Sequence, residues 1–178
     1  PVENLVDIDG KKADYCFCWN GQNFKKYISD YIKKYACLLP DNIWFDDDLR
    51  TFIHAPVKFG CFCNDCIKTF NQQYGYNYSR EELAEEITYG NIAVREKFIE
   101  FTRNNFGDFV YYISKIINNV SKNINVCVEH GILASYSGYN YDFIFDNILK
   151  ATNLPPKSRP GGGAYNDFNP NDFLLKAV

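Results

Sequence analysis

The spacing of apolar positions changes several times along this chain, and each change marks an element. Phe24, Tyr27, Ile28, Tyr31, Ile32 and Tyr35 recur at i, i+3 and i+4, with Lys25, Lys26, Asp30, Lys33 and Lys34 on the other side. This predicts an amphipathic helix, which Pro40 stops. Ahead of it, residues 13–18 read as a short strand ending at a turn around Asn20-Gly21. Residues 43–45 are apolar on both faces, as a buried parallel strand requires. A loop over 49–60 leads to two short helices within 64–90, where Ser79-x-x-Glu82 spells a capping box. A long helix follows over 92–120, with Phe98, Phe101, Phe109, Ile113, Ile116, Ile117 and Val120 on its buried stripe. Residues 124–129 form a third strand, 141–151 a helix and 156–159 a fourth strand. The turn Gly161-Gly162-Gly163 comes next, and Asn169-Pro170 opens a last helix.

Strand and helix thus alternate, which predicts an α/β fold of parallel βα units. No G-x-G-x-x-G follows the first strand and no Walker motif occurs, so nucleotide binding has no support. The four strand ends read Cys18-Trp19-Asn20, Asp46-Asp47-Asp48, Glu129-His130-Gly131 and Arg159-Pro160-Gly161. All are polar or unusual, and in a (β/α)8 TIM barrel functional residues sit at these ends. The expectation is a partial TIM barrel, four of its eight units, forming one domain over 1–178 of a longer chain.

Composition narrows the function. At 178 residues and 46% hydrophobic content the chain can bury a core, which excludes a disordered protein. A net charge of -3 with no Lys/Arg run excludes an electrostatic nucleic-acid binder. No apolar run reaches the ~18 residues that span a bilayer, so no membrane role is expected. Seven cysteines, an odd number, with metal-like spacing point to a reducing compartment, here the cytoplasm. The 14 Tyr and 15 Phe fill core and helix faces first, though aromatic rings also suit sugar binding.

Chemistry concentrates in Cys61-Phe62-Cys63-Asn64-Asp65-Cys66. Three thiols spaced C-x-C-x2-C share a metal more readily than a core. A structural zinc takes four ligands, so either Cys18 or Cys16 must supply the fourth. Cys37 and Cys127, on a helix and in a strand, read as core. In Asp46-Asp47-Asp48, strand alternation sends Asp46 and Asp48 to one side and Asp47 to the other. Cleavage of a glycosidic bond uses two carboxyl groups, and one of these could be the acid/base; a hydrogen-bonded loop entry or a pairing with Arg50 fits equally. Glu129 and His130 follow a strand, where a histidine is more often structural; His54, in a loop, is weaker. Arg159, beside the glycine turn, could hold a carboxylate or a sugar hydroxyl, or pair with Asp167.

On these residues the chain resembles glycoside hydrolase family 42 and related clan A β-galactosidase-like barrels. That family carries an acid/base carboxylate at the end of its fourth strand, then a C-x-C-x2-C zinc loop. Trp44-Phe45-Asp46-Asp47-Asp48 stands at the strand end, and Cys61, Cys63 and Cys66 match the triplet. Cys18-Trp19-Asn20 is similar to the family's Cys-x-Asn turn at the end of the third strand, which makes Cys18 the matching fourth ligand. The family reads Asn-Glu where this chain has Asp47-Asp48. Asp48 therefore takes the catalytic acid/base position one methylene shorter, and Asp47 replaces the Asn that contacts a sugar hydroxyl.

The resemblance implies a retaining glycoside hydrolase with a structural zinc, with β-galactosides as the expected substrates. Asp46, Asp47, Glu129, His130 and Arg159 would then bind the sugar. The family nucleophile, a Glu ending the seventh strand, falls beyond Val178 on this count. The partners expected are a carbohydrate and either the missing half of the barrel or a second copy. One rival is a zinc-stabilised carbohydrate-binding or scaffold protein without catalysis. Another is a metal-dependent hydrolase ligating through Asp46, Asp48 and His130.

Overall fold

The computed structural model describes residues 2–46, 49, 51, 54–58, 60–130 and 141–160; of His130, Tyr141 and Pro160 it describes the backbone. In chain order the elements are β1 (Asn4–Val6), β2 (Lys12–Phe17), α1 (Gln22–Ala36), β3 (Asn42–Phe45), α2 (Asn64–Tyr74), α3 (Arg80–Tyr89), α4 (Ile92–Val120), β4 (Asn125–His130), α5 (Tyr141–Thr152) and β5 (Lys157–Pro160). The glycine turn and the helix expected at Asn169-Pro170 lie outside the described residues.

Helix ends follow their local chemistry. Ser79 accepts from the Glu82 N–H at 3.2 Å while Glu82 accepts from the Ser79 N–H at 2.8 Å, closing the predicted capping box of α3. Asn91 caps α4 through the Ala93 N–H at 2.9 Å. The N-cap of α1 is Gly21, which has no side chain to cap with. Glu3, at the entry to β1, takes that place: its carboxylate accepts from the Phe24 N–H at 3.3 Å and the Asn23 side-chain amide at 2.8 Å.

β3, β4 and β5 form a parallel sheet in that order. The strand expected as the first barrel unit is not part of it. β2 pairs antiparallel with β1 in a separate hairpin, so the parallel strands number three rather than four among the described residues. The burial pattern gives the reason. Within β2 only Ala13 is buried, whereas a central parallel strand is covered on both faces. Gly10, at φ +85°, supplies the left-handed residue that turns the hairpin.

Two cores divide the molecule. One gathers Trp19, Ile32, Phe106, Phe109, Ile113, Val126, Val128, Ile144 and Ile148, joining α1, the later turns of α4, α5 and one face of the parallel sheet. The other gathers Leu5, Cys18, Val57, Cys61, Phe62, Cys66, Phe70, Leu83, Phe98 and Phe101, joining the hairpin, α2, α3 and the early turns of α4. α4 has 29 residues and so runs about 44 Å, long enough to serve both. Among the described residues no helix is long and apolar enough to cross a membrane.

Candidate metal centre and strand-end site

The hairpin, the loop after β3 and α2 converge on four sulfurs. Three contacts bring them there. The Cys18 N–H donates to the Glu3 carbonyl at 2.7 Å, the Phe62 N–H to the Val6 carbonyl at 2.8 Å, and the Lys58 N–H to the buried Asp7 carboxylate at 2.8 Å. Gly60, at φ +66°, bends the chain into Cys61; a Cβ there would lie 2.9 Å from the Phe98 ring. Cys63 is the N-cap of α2, and Cys66 sits in its first turn. The positive end of that helix favours thiolate over thiol.

The Sγ atoms of Cys18, Cys61, Cys63 and Cys66 all lie within 4.8 Å of one another. Cys18 to Cys66 is 3.4 Å and Cys63 to Cys18 is 3.7 Å. Zinc–sulfur bonds of about 2.3 Å set a tetrahedral edge of about 3.8 Å, so the donor set fits a four-coordinate soft cation. All seven cysteines are unbridged, and Cys16 stands outside the cluster. Of the two, Cys18 is the one that lies with the triplet.

Electrostatics explain why such a cluster calls for a cation. Hydrogen bonding with Cys18, then with Cys61 and Cys66, pulls the Cys63 thiol far below its ordinary range. Bonding with Cys61 first, then Cys63, drives Cys18 up, and burial adds to it. Cys66 is pushed up by bonding with Cys18, then Cys61 and Cys63, and by burial. Four adjacent thiolates cannot ionise together without a positive charge among them.

The second constellation stands at the C-terminal ends of the parallel strands. Ile43, Phe45, Val126 and Val128 pack into the helix-side core. Period-two alternation therefore places Asn42 and Trp44, then Asn125, Cys127 and Glu129, then Lys157 and Arg159, on the opposite face. Trp44, Cys127 and Lys157 are register partners in one row. Lys157 Nζ donates to Asn42 Oδ1 at 2.8 Å on this same face. Glu129 and Arg159 pair one row nearer the strand ends, bridged at 2.6 Å. Asp46 directly follows β3 and is exposed. Asp47, Asp48 and the His130 side chain lie outside the described residues.

The chain is similar in fold to a bacterial β-galactosidase. The crystal structure of β-galactosidase from Bacillus circulans sp. alkalophilus matches with a TM-score of 0.63 and 16% sequence identity, over 97% of this chain and 29% of that one. The chain thus spans less than a third of that protein's length. No family model matches the sequence, and no curated protein matches it. At this identity the likeness concerns the fold, a mixed α/β arrangement around parallel strands.

Sequence reasoning missed three parts of this neighbourhood. β1 is too short to show periodicity, though Asp9-Gly10 before residues 13–18 is a hairpin signal. The Glu3 cap is non-local, and only the missing cap at Gly21 hints at it. The bond from Asn20 Nδ2 to Cys66 Sγ, 3.3 Å, joins residues 46 apart in sequence.

Proposed function

We propose that this chain forms part of a (β/α)8 glycoside hydrolase of the family 42, clan A type, acting on a glycosidic bond, with β-galactosides as the substrate class. The observation that carries this reading is the Glu129–Arg159 pair at the C-terminal ends of adjacent parallel strands, with Asp46 directly after the end of β3, the strand beside them. That is where a barrel collects its chemistry. The fold likeness supports the same reading.

In it, Cys18, Cys61, Cys63 and Cys66 hold a structural zinc. A closed four-thiolate zinc supplies folding energy and rigidity rather than a Lewis acid. The cluster pins the segment after β3 against the hairpin and so steadies the acid-bearing strand end. Asp48 acts as general acid/base, and the like charges of Asp46 and Asp47 help it keep its proton near neutral pH. Asp46, Asp47, Glu129, His130 and Arg159 contact sugar hydroxyls. Among the described residues β3 and β5 each pair on one side only, and Trp44 is 44% exposed opposite the helices. Further barrel strands, or a second copy, would cover that face. The thiol-rich site suits a reducing compartment such as the cytoplasm.

The test uses the protein as its gene encodes it, with activated aryl glycosides. Hydrolysis with retention is expected, with aryl β-galactosides preferred. Asp48→Ala should slow breakdown of the glycosyl intermediate, and azide should restore turnover. Full activity in both Asp48→Ala and Asp46→Ala would remove this strand end from the chemistry. Sugar binding without hydrolysis would favour a zinc-stabilised carbohydrate-binding protein instead.

A further inference from the structure

We propose that Asn20 is a positioning residue of the thiol cluster, its side-chain amide orienting the Cys66 sulfur and setting how tightly the four thiolates grip their metal. The proposal rests on the zinc reading above. Cys66 Sγ is buried and lies 3.3 Å from Asn20 Nδ2.

The backbone around Asn20 leaves it little freedom. On one side the Cys18 N–H is tied to Glu3, and the Gly21 N–H closes a turn onto the Cys18 carbonyl at 3.0 Å. Between them the Trp19 ring is buried, 5.0 Å from Phe106 and 5.6 Å from Phe109 by ring centroids. With its neighbours fixed, Asn20 presents its amide to the cluster without an entropic search.

The chemistry of the position selects an amide. Four thiolates around a divalent cation carry a net charge of two negatives, placed here in a largely buried site. An N–H donor spreads that charge, restrains the sulfur and lowers the electron-donating strength of its lone pair. A carboxylate of the same shape would repel the cluster, and an alanine would leave the sulfur without the donor. Asn20, in the turn between the hairpin and α1, is thus a supporting partner for a ligand on α2, and the hairpin and that helix are joined through it as well as through Cys18.

The experiment compares wild type, Asn20→Asp and Asn20→Ala in the full gene-encoded protein. Zinc affinity is measured by competition with a chromogenic chelator, and cobalt(II) replaces zinc to read the thiolate-to-metal charge-transfer band. Roughly 10–100-fold weaker zinc binding is expected in Asn20→Asp, with a smaller loss in Asn20→Ala. In Asn20→Ala the band should move to lower energy. Asn20→Ser, which keeps a donor, should recover part of the affinity. Melting is followed with and without zinc, and the loss should be larger in the loaded protein. Unchanged affinity and an unmoved band would overturn the proposal. So would equal destabilisation of both forms, which marks a purely structural residue. Wild type that takes up no zinc would overturn the zinc reading along with it, whereas zinc-loaded wild type with indifferent variants would overturn this inference alone.

Discussion

The Glu129 carboxylate and the Arg159 guanidinium meet at 2.6 Å from register-paired positions on β4 and β5. The Arg159 side chain is 65% exposed, so the pair contributes at most about 1 kcal/mol to stability. Under the proposed function, its position at the strand ends gives it more weight in recognition than in folding.

Arg159→Ala therefore separates two quantities. The midpoint of chemical denaturation should move by less than the equivalent of about 1 kcal/mol. Under the proposed function kcat/KM toward an aryl galactoside should fall roughly tenfold or more, the scale of a lost charged hydrogen bond. A large stability loss with unchanged kinetics would assign the pair to the fold.

Removing the metal should be visible in the tryptophans. Trp19 is 6% exposed and adjoins Cys18 of the thiol cluster, while Trp44 is already 44% exposed. Chelation, or Cys66→Ser, should red-shift Trp19 emission and lower the melting temperature, with Trp44→Phe isolating the Trp19 signal. Because thiolates bind metal and thiols do not, affinity should fall as pH drops. A pH series of metal release checks the direction. An emission maximum indifferent to metal would disconnect Trp19 from the cluster.

Glu3 should make stability depend on acid. Partial desolvation acts to raise its pKa, but N–H donors from its own backbone, Phe24 and Asn23, with the Asn23 side-chain amide, outweigh it and hold the carboxyl below the usual glutamate value. A group depressed in the folded state stabilises above its unfolded pKa, and that contribution disappears as pH falls through the folded one. Wild type should thus lose stability below about pH 4.3 more steeply than Glu3→Ala. At neutral pH the variant should be less stable by about 1 kcal/mol, the usual scale of a lost N-cap. Denaturation curves between pH 3 and 7 decide it.

Gly107 sits inside α4, where alanine would ordinarily add about 1 kcal/mol of helix propensity. Here a Cβ would run into the Phe143 ring of α5. Gly107→Ala should destabilise by about 1–3 kcal/mol, because overpacking outweighs propensity. Adding Phe143→Leu should recover part of the loss, measured as a double-mutant cycle.

Local signals are legible in the sequence. The 92–120 stripe, the Ser79–Glu82 box and the breaker at Pro40 are each written within a few residues, and α4, α3 and α1 lie close to where these place them. The C-x-C-x2-C spacing announces the thiol cluster, and the strand ends announce Glu129 and Arg159. What failed was sheet membership. Residues 13–18 alternate like any strand, and nothing local says whether the partner is a neighbouring hairpin arm or a distant parallel strand. The Glu3 cap and the Asn20–Cys66 bond were illegible for the same reason: their partners are brought together only by the finished fold.

Consecutive residues Cys18 and Trp19 belong to different cores, one with the thiols and one with the parallel sheet. The chain therefore passes from one core to the other across a single peptide bond here, and again along α4. Stripped of metal, the molecule should keep slow amide hydrogen exchange in β4, α5 and the later turns of α4, while β1, β2 and α2 exchange quickly. The cation would then decide not whether the chain folds, but whether its two halves fold as one cooperative body.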